Sequence, residues 1–313
     1  MLKFIVSRFV QSIVVLFCIM TITFFLMKIA PGSAFTDEKA IPPHAMEAMK
    51  AQVGFDQPVH KQLLKVYKNF FNGYQDVPSL KNRGYDVDEM IWQSLPVSMQ
   101  IGVGGLLFAI ILGIPIGLLA AARKNTAVDY TLMSIAMIGI CLPTFVIGPI
   151  LATVFAINLN WGNTAGWWNP ATDWFLPSLT LGLFFTGYFA RLTRAGMLEI
   201  LSQDFIRTAR AKGLSEWRML VFHAFKGGML PSVSFMGPAI AGLIGGSFVV
   251  ETVFAIPGMG RVFINAATNR DETLLLGCVL TFGALILIMN FLVDVAQIAL
   301  NPRLRGSEQP DAA

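Results

Sequence analysis

The sequence predicts an all-α polytopic membrane protein with six transmembrane helices and a mostly helical external insert after the first of them. Three observations carry this. Of the 313 residues, 55% are hydrophobic and only 13% are charged, more apolar side chain than a soluble core needs. Uncharged runs long enough to cross a hydrocarbon core recur along the chain. When those runs are threaded alternately, the basic residues of the short loops fall overwhelmingly on one side, which makes that side cytoplasmic and puts both termini there.

The first uncharged run is Phe9 to Met27, preceded by Lys3 and Arg8. It is long for a signal-peptide core, and Pro31-Gly32-Ser33 is a poor cleavage site, so the expectation is a retained helix with Lys28 snorkelling to the head groups. Residues 31–95 are polar and broken by Pro42-Pro43, Pro58 and Pro78. Within them, Ala45 to Val53 and Val59 to Phe71 have helical periodicity. Ser98 to Ala122 forms the second span and ends at Arg123-Lys124; its Gly113 and Gly117 make a small-residue face for close helix packing. Thr126 and Asp129 look like a cap for a third helix running to about Ile157, with kinks at Pro143 and Pro149. Trp161, Trp167, Trp168 and Trp174 mark an outer interface, and Trp174 to Ala190 returns inside to Arg191 and Arg194. Pro231 to Phe254 and Thr273 to Ala299 complete the six. The chain thus divides into an N-terminal helix (1–30), an external insert (31–95), a transmembrane core (96–301) with a cytoplasmic loop at 193–230, and a C-terminal tail (302–313).

The chemistry the sequence excludes is informative. His44, His60 and His223 have no metal-ligand spacing, and there is no Walker A loop, so ATP phosphates have no such cradle on this chain. Cys18, Cys141 and Cys278 lie inside apolar runs, as unpaired thiols packed like small hydrophobes would. The formal net charge is +4, but no compact basic patch is interleaved with aromatics, which argues against nucleic acid. Among ionisable residues in or near the spans, Asp294, Arg191 and Arg194 sit where interfacial charges sit, while Glu251 is deeper and suits a gating or structural role.

One basic island stands apart. From Met197 to Lys212 the residues are good helix formers, and Gly213 sits where a helix needs a left-handed residue to stop. Ser215 then suits an N-cap, with Glu216 in the first turn of a second helix to about Lys226. Phe205, Thr208, Ala209 and the stem of Lys212 fall at helical spacing, with Arg207 and Arg210 pointing elsewhere.

The wording Thr208-Ala209-Arg210-Ala211-Lys212-Gly213-Leu214-Ser215, with Leu230-Pro231 beyond it, resembles the cytoplasmic EAA loop of ABC-transporter permeases, specifically the peptide and nickel branch. Ala255-Ile256-Pro257-Gly258-Met259-Gly260 followed by Asn269-Arg270-Asp271 resembles a second segment of that branch. Ala30-Pro31-Gly32-Ser33, Leu95-Pro96-Val97-Ser98, Val293-Asp294 and Asn301-Pro302-Arg303 extend the likeness over most of the chain, towards the B-type permeases of oligopeptide importers. Arg207 departs from the wider pattern, which often has Glu there. The resemblance implies a type I ABC importer permease in a bacterial inner membrane, with no catalytic residue and no cofactor bound by this chain. ATP and Mg would sit on two cytoplasmic ATPases, contacted through Asp204, Arg207, Thr208, Ala209, Ala211, Lys212, Gly213 and Leu214. A second permease and an extracytoplasmic binding protein delivering peptide are the other implied partners. Separately from the resemblance, Glu251 together with Pro257, Gly258 and Gly260 is the expected gate or structural set. Dipeptide or nickel import, an ion-coupled secondary transporter and an intramembrane enzyme are the readings that compete with it.

Overall fold

Apolar runs without internal partners for their backbone become helices in this chain, as a membrane requires. The computed structural model describes residues 2–29, 51, 53–82 and 84–300, and among these the regular structure is helical apart from one isolated antiparallel bridge between Pro78 and Asp86. Among the described residues, five helices are long and apolar enough to cross a membrane, or six crossings if the bent pair described below is one span. Most of the helix expected at Ala45 to Val53, together with Ala30 to Ser33 and Asn301 onward, lies outside the described residues.

The chain forms two units, one from Met1–Ser98 with Pro257–Phe291, the other from Met99–Ile256 with Leu292–Ala313. In the first unit, α1 (Leu2–Ile29) is met by α2 (Val59–Phe71), an amphipathic helix of the insert. Thr21 Oγ1 and the Tyr67 hydroxyl share a 2.6 Å hydrogen bond, and the Phe17 ring lies 5.3 Å from that of Tyr67. Lys28, expected to snorkel, places its ammonium 4.6 Å from the centre of the Phe55 ring.

Asp271 ties the insert to the turn between α11 (Met259–Thr268) and α12 (Glu272–Leu300). Its buried carboxylate accepts from the Ser79 hydroxyl, from the Leu80 and Lys81 amides at 3.2 and 3.1 Å, and from the Thr273 hydroxyl and Leu274 amide. Hydrogen bonds to a charged group contribute about 1.5–3 kcal/mol each, so one carboxylate holds a segment almost two hundred positions away in sequence. Asp271→Asn is expected to release Ser79–Lys81, read as faster tryptic cleavage after Lys81 in the folded protein. An unchanged cleavage rate would contradict this role.

The second unit is organised on α6 (Phe175–Leu201), against which α4 (Ala127–Cys141), α5 (Thr144–Leu151) and α10 (Leu230–Val253) pack. The glycines of α3 (Val87–Ala122) work as expected: a methyl on Gly113 or Gly117 would collide with the backbone of α6 at Thr186 or Ala190. The helix α3 itself begins at Val87, earlier than the expected Ser98, because Asp88 and Glu89 complement its positive end.

The third span differs most from expectation. It is not one kinked helix: α4 stops at Cys141, and the following helical stretch, Thr144–Asn158, leaves at 108°. Leu142 is held extended by Pro143, as residues before proline are. Pro149, by contrast, is absorbed inside α5, and the helix widens into a π segment at Ala152–Asn158. The tryptophan-rich loop after it is drawn together by Asp173, which accepts the Trp168 and Asn169 amides, both at 2.7 Å.

Candidate functional site

The basic island folds as two helices joined by a tight turn. The first, α7 (Asp204–Ala211), turns Ile206 and Ala209 inward at helical spacing. Ile206 is fully buried in a cluster with Ala121, Met197, Met219, Leu220 and Ala224. Of the residues read at helical spacing, Phe205, Thr208 and Lys212 are exposed and Ala209 is buried. A helix of two turns has little periodicity to fix its phase, and burying the branched aliphatic Ile206 decides it.

Outward, α7 presents Asp204, Phe205, Arg207, Thr208, Ala211 and Lys212. Arg207 and Asp204 pair at 3.4 Å, both largely exposed, so the pair contributes little. Arg210 reaches across the turn to Glu216 at 2.9 Å. That contact is also exposed and contributes little.

Gly213 makes the turn. Its φ is +79°, its N–H donates to the Arg210 carbonyl at 3.0 Å, and the Leu214 N–H donates to the Ala209 carbonyl at 3.3 Å. This is the paired hydrogen bonding of a Schellman cap, with glycine where the left-handed residue belongs. Ser215 then starts α8 (Glu216–Arg218) in an extended conformation, although its hydroxyl makes no capping bond. The expected second helix continues as a π segment, Met219–Ala224, and a last turn, α9 (Phe225–Gly228). The wide turn buries Met219 and Leu220 beside Ile206 while leaving Phe222 73% exposed. The assembly is packed on its inner side through Ile206, Met219 and Leu220 and carries basic and aromatic groups on its exposed side.

Next to it, Arg194 of α6 grips Asp129 of α4 through Nε and Nη2 at 2.6 and 2.7 Å. The Asp129 side chain is 1% exposed, and it also accepts the Asn125 amide at 2.9 Å. Asp129 therefore closes the turn before α4, as expected of a cap residue, while Arg194, expected to be an interfacial charge, clamps two helices. Arg191 lies over the Tyr188 ring at 5.4 Å.

The residues expected as a gate or structural set divide between the two units. Glu251 is fully buried in the last turn of α10, and its carbonyl accepts the Ile256 amide at 2.8 Å in a second Schellman-type cap, with Ala255 at φ +52°. Pro257, Gly258 and Gly260 belong to the first unit, where Gly258 precedes α11 and the Met259 amide donates to Ser98 Oγ at 2.8 Å. The helix that follows this turn is α11. Sequence reasoning missed Ile206 as the anchor and Asp129 as the partner of Arg194. The first was visible as the aliphatic residue one helical step before Ala209.

Comparison with known proteins gives consistent results. Residues 113–306 match the family described as binding-protein-dependent transport system inner membrane component, and residues 1–95 match the N-terminal region of such components. The chain is 42% identical to the oligopeptide transport system permease protein OppB of Salmonella typhimurium, over 97% of this chain and all of that one. It is 40% identical to OppB of Haemophilus influenzae, again over 97% and 100%, and 35% identical to the dipeptide transport system permease protein DppB of Bacillus subtilis, over 97% and 98%. Its fold is similar to a chain of the MetNI methionine ABC transporter in an inward-facing conformation, with a TM-score of 0.59 at 16% identity, covering 68% of this chain and 97% of that one.

Proposed function

This chain belongs to the family of binding-protein-dependent transport system inner membrane components, the permeases of ABC importers, and on that premise we propose that it imports oligopeptides across a bacterial inner membrane as one half of a two-permease pathway. The observation that carries the coupling role is the α7 handle: a short helix bolted inward by Ile206 and Ala209, capped at Gly213, with its charged and aromatic face outward. Two cytoplasmic ATPases would bind that face around Asp204 to Leu214. ATP and Mg would be held by those subunits, and hydrolysis would occur there.

ATP binding would draw the ATPases together and carry the handles with them. Because α7 is packed on the ends of α3 and α6 through Ala121 and Met197, its displacement would carry those ends with it. The two permeases would then rock from inward-facing to outward-facing, and an external binding protein would deliver peptide. Oligopeptide rather than dipeptide cargo is supported by the higher identity to the oligopeptide permeases, 42% against 35%. The Arg123-Lys124 turn and the handle lie on the cytoplasmic side in this reading, following the positive-inside rule, and both termini lie there too.

The test is uptake of labelled peptides of graded length into proteoliposomes carrying the full assembly, with ATP inside and binding protein outside. ATP-dependent uptake favouring peptides longer than two residues is expected. Uptake driven by a proton gradient without ATP would overturn the reading in favour of a secondary transporter.

A further inference from the structure

Beside the handle, a groove of about 660 Å³ opens between the end of α3, the end of α6 and Trp217. Its floor is aliphatic, made by Leu119, Leu198, Leu201 and Leu220. Its rim carries Arg123, Lys124 and the Arg210–Glu216 pair. Arg123 and Lys124 are exposed, and neither side chain has an ion-pair partner among the described residues. Trp217 is 62% exposed, in the amphipathic setting tryptophan takes at a membrane–water boundary. The floor is continuous with two membrane-spanning helices, α3 and α6.

We propose that this groove is a binding site for an anionic phospholipid, its acyl chain along the leucine floor and its phosphate between Arg123 and Lys124. The plainer role for those cations is to offset the carbonyl ends of α3 and α6, each equivalent to about half a negative charge. Two full cations exceed two such half charges by about one unit, and Arg210 is already matched by Glu216. The residual positive charge therefore sits over an apolar slot at the end of two spans, the arrangement that selects an anionic lipid headgroup over a zwitterionic one. A soluble anion would use the rim but gain nothing from the leucines. The inference rests on the proposed orientation, which brings this end of the spans to the inner leaflet, and a lipid there would touch the handle through Trp217.

The full-length chain in mild detergent, titrated with phosphatidylglycerol or phosphatidylcholine and read by native mass spectrometry, tests this directly. Tighter retention of phosphatidylglycerol is expected. In the R123Q/K124Q variant its affinity should fall about 25-fold, at a factor of about five per cation, with phosphatidylcholine unchanged; Arg123→Lys should retain binding. Equal retention of both lipids, or an unchanged affinity in the double variant, would overturn the proposal. So would displacement of the lipid by millimolar inorganic phosphate, which would mark a soluble-anion site. If the double variant does not fold, brominated phosphatidylglycerol vesicles supply the reading in the parent. Their quenching of the fluorescence difference between parent and Trp217→Phe is expected, and its absence would overturn the site. None of these readings depends on transport, so failure of the importer reading would be seen separately.

Discussion

Gly213→Pro is expected to reduce ATP-dependent uptake to the ATP-free background while the protein still reaches the membrane at its normal level. Proline fixes φ near −65° and has no N–H. Position 213 sits at +79° and donates to the Arg210 carbonyl, so both requirements of the turn fail together. The consequence is local: the cap of α7 is lost, and with it the turn that sets the angle to α8. The spans contain none of these atoms, which is why insertion should survive. Gly213→Ala separates angle from space. Nothing lies within 4 Å of where its methyl would sit, so its cost is the left-handed backbone alone, about 1–2 kcal/mol, and partial uptake is expected. Normal uptake by the proline variant would sink the coupling role given to this turn.

The second large effect concerns the clamp between α4 and α6. Asp129→Asn should lower the thermal stability of the purified protein by the equivalent of about 1–3 kcal/mol, the cost of leaving a partly buried charged group without its partner. Asparagine keeps the shape but cannot accept both Arg194 nitrogens as an anion, so the guanidinium remains without its counter-charge beside α4. Replacing both residues by leucine should cost less than Asp129→Asn alone, since an apolar pair leaves no uncompensated charge. A double variant as unstable as the two single changes summed would show that the residues act independently. Arg194→Lys should rescue poorly, because lysine cannot reproduce the two-pronged geometry.

Both sites show what could and could not be read from sequence. The spans were legible because bilayer thickness imposes a length that a run such as Phe9 to Met27 either meets or does not. The turn at Gly213 was legible because left-handed backbone selects glycine. The phase of α7 was not, since two turns give too few positions to locate a stripe and Ile206 is buried by contacts made with distant residues. The Asp129–Arg194 pair was hidden by its separation in sequence, each residue alone looking like an ordinary charge near a helix end. The 108° bend at Pro143 was hidden for another reason. A proline states that a helix is disturbed, not by how much, and Pro149 nearby is accommodated within its helix. Asp271 lay inside the Asn-Arg-Asp wording, but its hold on Ser79–Lys81 required the insert to fold back.

The measurement that bears most directly on the central claim is affinity purification of the tagged chain from its native membrane in mild detergent, with identification of what comes with it and assay of ATP hydrolysis with and without peptide and binding protein. Recovery of a second permease and two ATPases, with hydrolysis stimulated by peptide-loaded binding protein and lost in Gly213→Pro, is the predicted result. Recovery of the chain alone, without nucleotide hydrolysis under conditions that keep known importers assembled, would contradict it.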